Sequence, residues 1–249
     1  MRKPPALQDW LNYPVTSVVA LLAILATLAW KSGMDISFMF MDSEVWHGQL
    51  WRLVTSAFPH VDLIHIAFNL YWLWVFGTLV EGVFGSYRTA TILVLFAAGS
   101  AAAQYAVSVG GVGLSGVGYG LFGLLWVLSR RDSRFRDAVD NQTIGLFVVW
   151  FFLCIFLTHS HVWNVGNAAH GLGAILGALL GFCIVSEETV RRLVGAVLCL
   201  VILADFLLAS FGRSYLNFSS NSWEESAFRV IKTSRIMITK RPWRIFKGH

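Results

Sequence analysis

Apolar runs long enough to cross a bilayer as helices recur along the chain, at residues 14–30, 61–79, 89–107, 114–129, 142–158, 167–185 and 193–211. No ten-residue alternation of apolar and polar positions occurs, so the pattern predicts helices and not a barrel. The first six runs make a core, and the last, which carries Asp205, is read as one additional C-terminal span. The fourth run is short: about 16 residues give about 24 Å of helix against a hydrocarbon core of about 30 Å. The glycine-rich stretch before it, Val109-Gly110-Gly111-Val112-Gly113, is therefore expected to enter the membrane. Non-helical backbone does so only where it is buried in protein or lines a wet cavity. Between the first two spans, a connection rich in Phe, Met and Trp, including Trp46 and Trp51, is expected to lie in the interface as short helices.

Composition agrees with the pattern. The chain has 249 residues, 56% of them hydrophobic and 13% charged, with a mean hydropathy of +0.64. That excludes a soluble domain and makes this an all-α, multi-pass membrane protein whose first partner is the lipid bilayer. Nothing in it calls for nucleic acid. Cys154, Cys183 and Cys199 fall inside apolar runs without paired or metal-like spacing, and read as packing residues. His60 and His65 are five apart on diverging helical faces, and no His-Glu-x-x-His occurs, so neither a metal nor another cofactor is expected.

Charge sets the expected orientation. Arg130, Arg131, Arg134 and Arg136 form the densest basic loop between spans. Placing it in the cytoplasm also puts Arg2, Lys3, Arg88, Arg191 and Arg192 there, and leaves only Lys31 and Arg52 in outer loops. The N-terminus is then cytoplasmic, and the membrane is the inner one if the chain is bacterial. Arg2 and Lys3 before an apolar run resemble the opening of a signal peptide, but no small-x-small cleavage site follows, so the first span reads as uncleaved. A seventh span places the basic tail, residues 213–249, outside, against a charge rule that weakens with distance from the span. That tail reads either as lying on an anionic surface or as solvated.

Polar outliers carry the chemistry. Gly113-Leu114-Ser115-Gly116 sets a serine at the start of an uncharged helix. Alone, this stretch favours a structural serine bonded to its own helix, with a nucleophile at a tight turn as the sharper alternative. His65 and Asn69, four apart, share a helical face, a pattern that suits interhelical glue as well as a site. Gly173, Gly177 and Gly181 repeat every four residues in the sixth run, and Gly116 and Gly120 offer a matching face in the fourth. If those faces meet, Ser115 and His170 come within reach at the outer ends of their helices, as a nucleophile and a base.

These residues resemble the rhomboid intramembrane serine proteases. The resemblance rests on Trp51-Arg52, on His60, His65 and Asn69, on Gly113-Leu114-Ser115-Gly116 with Tyr119, and on Ala169-His170 followed by Gly173 and Gly177. It implies a six-helix rhomboid-like catalytic core over residues 13–185; the charge pattern sets a cytoplasmic segment 1–12 before it, and the last apolar run adds a seventh helix within 186–212, a departure from the basic six-span pattern. It also implies a serine endopeptidase acting on transmembrane protein substrates near the outer face of the bilayer. By resemblance Ser115 is the nucleophile and His170 its base, with no acidic third member. His65, Asn69 and the backbone at Ser115 hold the oxyanion, and Tyr119 packs on the His170 ring, with Gly113 and Gly116 in support. Two alternatives of other classes stand beside it: an inactive rhomboid-like membrane chaperone or binding protein, and a channel lined by His65, Asn69 and His170. The dyad residues argue against the first, and their single membrane depth against the second.

Overall fold

A computed structural model of the chain describes residues 3–108 and 110–212. The basic tail, Arg2 and Val109 lie outside the described residues. Among those described there are helices and no strands. Seven long helices make the bundle: α1 (Pro14–Lys31), α2 (Leu63–Phe84), α3 (Ser86–Val107), α4 (Ser115–Arg131), α5 (Asn141–His159), α6 (Asn167–Val185) and α7 (Glu188–Gly212). All but α4 are long and apolar enough to cross a membrane. At 17 residues, or about 25 Å, α4 is the short helix that its apolar run predicts, and the additional C-terminal helix is present as α7.

The second span runs further than its apolar run. It starts at Leu63, where the Asp62 side chain accepts the His65 N–H at 2.7 Å, a normal N-cap. It contains a π turn at Leu73–Gly77 and continues through Glu81 to Phe84. A charge usually ends a span, but Glu81 is buried and fully used. Its carboxylate accepts the N–H groups of Val15 and Thr16 at 2.9 and 2.8 Å, the Thr16 hydroxyl and the Ser86 hydroxyl. Glu81 thus satisfies orphan donors at the start of α1, where the helix dipole favours an anion.

The connection between α1 and α2 folds around Arg52, which is buried. Its guanidinium donates to the carbonyls of Ser37 and Phe40 at 2.7 and 2.8 Å, to Gln49 and to Asp42. Short 3-10 turns at Ser37–Met39 and Ser43–His47 result. Part of the apolar load of this loop faces protein and not lipid: Met41 and Val45 are buried with Ala102, Tyr105 and Ala106 of α3 and Ala209 of α7.

The centre is a three-helix junction in which α6 packs mainly on α4 and α3. A Cβ on Gly173 would overlap the carbonyl oxygen of Gly116, and one on Gly177 that of Gly120. Two backbones therefore touch, which only glycine permits. The glycines of α4 serve a different neighbour. Side-chain space at Gly116 is taken by Ser100 and at Gly120 by Phe96, both on α3. The two glycine sets meet as expected, but α4 turns its carbonyls to α6 and its missing side chains to α3.

Candidate active site

Ser115 is the first residue of α4 and is half-buried. The loop before it is held in place by backbone groups. Gly113 has φ +108°, a left-handed conformation suited to glycine, and its N–H donates to Ser56 O at 3.2 Å. The next N–H, of Leu114, donates to Nε2 of His60 at 3.2 Å. No acceptor among the described residues meets the N–H of Ser115 itself. Such a donor, at the positive end of α4, is ready for an anion.

His170 lies in the first turn of α6 and is buried. Its ring stacks on Tyr119 with centroids 4.6 Å apart and planes at 23°. The Tyr119 hydroxyl is tied to Phe147 O of α5 at 3.1 Å, so the stacking partner is itself fixed. Neither ring nitrogen of His170 has a hydrogen-bond partner among the described residues, so no bond joins it to the Ser115 hydroxyl in this state. The two helix starts are nonetheless adjacent: a Cβ on Gly116 would lie 3.4 Å from Cβ of Ala169. Ser115 precedes that contact on α4 and His170 follows it on α6.

His65 is half-buried over the same loop. A Cβ at Gly113 would stand 2.7 Å from its Cε1 and 2.9 Å from its Nε2, so the imidazole needs the bare glycine beneath it. Its ring meets that of His60 edge-on at 4.8 Å. Asn69, buried one turn further along α2, donates through Nδ2 to His65 O at 2.8 Å. A carboxamide carries two N–H donors, so this bond orients the group and leaves one donor over. Ser115, His65, Gly113, Gly116, Tyr119 and His170 thus gather at one end of the bundle, with Asn69 a turn deeper.

Two positioning residues were not legible as such. His60, which the sequence marks as part of the resemblance without a role of its own, is a strut: Nδ1 donates to Phe58 O at 2.8 Å, Nε2 accepts from Leu114, and its own N–H donates to Thr27. That pattern fixes the neutral Nδ1–H tautomer. Gln104, the lone strongly polar residue of the third run, caps α6. Its Oε1 accepts the N–H groups of Ala168 and Ala169 at 3.1 and 3.3 Å, while Nε2 donates to Ser108. It holds the turn that carries His170. No group of His, Cys, Asp or Glu among the described residues is arranged to hold a metal ion.

Comparison with known proteins agrees with this architecture. The family model for the Rhomboid domain matches residues 47–187. The rhomboid protease GlpG of Photorhabdus laumondii is 30% identical over 171 residues, covering 67% of this chain and 60% of the relative. That of Yersinia pseudotuberculosis is 30% identical over 162 residues, 65% and 54% respectively. The Haemophilus influenzae protein is 29% identical over 187 residues, covering 68% of this chain and 89% of the relative. The chain spans between half and two thirds of the Photorhabdus and Yersinia relatives. A matching domain over more than half its length, on a helical bundle joined through its glycines, makes this chain a member of the rhomboid family.

Proposed function

We propose that this rhomboid is an intramembrane serine endopeptidase that cuts membrane-spanning segments of other proteins, with Ser115 as nucleophile and His170 as base. The observation that carries the reading is the meeting of two helix starts, one bearing a serine whose backbone N–H, and the other a clamped imidazole whose two nitrogens, find no partner among the described residues. The name of the relatives, rhomboid protease, supports the reaction class. A serine hydroxyl needs a base to remove its proton, and imidazole suits that task near neutral pH.

In this mechanism His170 takes the Oγ proton as Ser115 attacks the peptide carbonyl. The resulting oxyanion accepts from the Ser115 N–H, the second N–H of Asn69 and the His65 ring. His170 then passes its proton to the leaving amine, and water hydrolyses the acyl-enzyme by the same route. Tyr119 takes over the orienting work that a carboxylate does in a triad. Substrates are helices that unwind near one end, because a stable membrane helix hides its amides in its own hydrogen bonds. A serine-directed fluorophosphonate tests the reading: it should label Ser115 in the folded protein and fail to label the His170→Ala variant. Absence of labelling in a folded, detergent-stable preparation favours the chaperone reading.

The same proposal sets the orientation. The face bearing Arg88, Arg130, Arg131, Arg134 and Arg136 is cytoplasmic, and Ser115, at the other end of α4, lies toward the outer face. A cysteine placed at Ser133 should react with an impermeant maleimide only after cells are opened. Labelling from outside intact cells reverses the orientation.

A further inference from the structure

On the face of the bundle away from Ser115, two adjoining cavities of about 440 and 330 Å³ share Leu79 and Ala138 as walls. One is formed by the loop after α4, the other by the N-terminal segment against the last turns of α2. Their walls are held by specific contacts. Trp74 Nε1 donates to Pro5 O at 2.9 Å, and Tyr13 packs edge-on against the Trp74 indole at 6.0 Å. Phe135, buried, anchors the loop on Phe84 at 5.3 Å.

The lining divides by polarity. Lys3, Arg134 and Arg136 supply the cations of the lining, while Leu79 and Val83 of α2, both half-buried, supply its apolar part. Arg134 is half committed, donating through Nε and Nη2 to Asp132. Those bonds hold the Asp132 carboxyl below the usual carboxylate range. Lys3 and Arg136 have no ion-pair partner among the described residues. Asp137 is the one acidic residue in the lining among the described residues, so cations prevail. The groove sits where α1 begins and α2 ends, at the level where a spanning bundle leaves the hydrocarbon.

We propose that this groove binds the headgroup of an anionic phospholipid, its phosphate drawn by Lys3 and Arg136 beside the half-buried Leu79 and Val83. Charge complementarity selects the anion, and the groove's place at the membrane edge, where lipid headgroups are concentrated, selects a lipid over a soluble phosphate. The reading is independent of the catalytic assignment. The full chain, in nanodiscs of equimolar phosphatidylglycerol and phosphatidylcholine, should release in native mass spectrometry with one phosphatidylglycerol retained about tenfold in preference. A Lys3→Gln, Arg136→Gln double variant should lose that preference. The control Arg88→Gln, Arg192→Gln removes the same charge outside the groove and should keep it. Excess glycerol phosphate should not displace the lipid. Absence of preference in the wild-type chain, equal loss in the control, or retention in a groove variant of unchanged thermal midpoint overturns the proposal. Displacement by glycerol phosphate overturns the lipid assignment in favour of a free-phosphate site.

Discussion

Ser115→Ala and His170→Ala should each lower turnover of a membrane-spanning substrate by about 10⁴-fold or more, and the double variant should lose no more than either single one. The two groups act as one unit: without the hydroxyl there is no acyl-enzyme, and without the imidazole the hydroxyl keeps its proton. Additive losses would mean that they act separately. Asn69→Ala and His65→Ala should fall less, by about 100- to 1000-fold each if each removes one used oxyanion donor. The Ser115 N–H remains in both, and water entering the site can replace part of a lost donor. The His65 variant has a second route to loss, because its ring covers Gly113 and meets His60. Thermal midpoints in detergent separate the two effects. A rate loss at unchanged midpoint belongs to the oxyanion, and a joint loss belongs to the loop. Wild-type cleavage by folded Ser115→Ala would remove the serine-protease reading altogether.

Local signals and distant pairings were unequally legible in the sequence. The spans were readable because apolar run length is a local property, and the shortness of α4 followed from counting alone. The glycine repeat of α6 was readable for the same reason, since its spacing places every member on one helical face. What the glycines face was not. Gly116 and Gly120 look like the partner stripe for α6, yet their open sides hold Ser100 and Phe96 of α3. A helix in a three-way junction needs two bare surfaces, and a stripe of small residues does not say which neighbour takes which.

The polar residues divide in the same way. Ser115, His65, Asn69 and His170 stood out because each is anomalous in its own apolar surroundings, and the fold brings their helix ends together. Glu81, just past the end of the 61–79 run, gave no local sign of its role, because its partners are the amides of Val15 and Thr16, some sixty-five residues away in the chain. Gln104 is distant to the same degree from the Ala168 and Ala169 amides that it caps. Both residues satisfy helix-start donors on another helix. Only the assembled bundle reveals such donors, since a sequence marks neither which helix start lacks its own cap nor which side chain will reach it.

Gly177→Val is expected to cost about 3 kcal/mol or more of bundle stability and to depress turnover below what the remaining folded fraction accounts for. Overpacking a close-packed site costs about 1–3 kcal/mol where side chains can shift. Here the added atoms would meet the carbonyl oxygen of Gly120 and the amide of Leu124, which are backbone and cannot rotate aside. Relief therefore requires α6 to move off α4. Those two helices carry His170 and Ser115, so the same displacement widens the gap that proton transfer must cross, and activity should fall even in molecules that stay folded. Gly145→Ala on α5 is the matched control. An added Cβ there meets no atom within 4 Å, and alanine is the better helix former, so midpoint and rate should hold or rise slightly. Thermal unfolding in detergent, with turnover measured on the same preparations, gives both readings. A Gly177→Val protein with the wild-type midpoint and rate would mean that the α4 and α6 backbones do not touch, and that the dyad is positioned by Tyr119 and Gln104 without them.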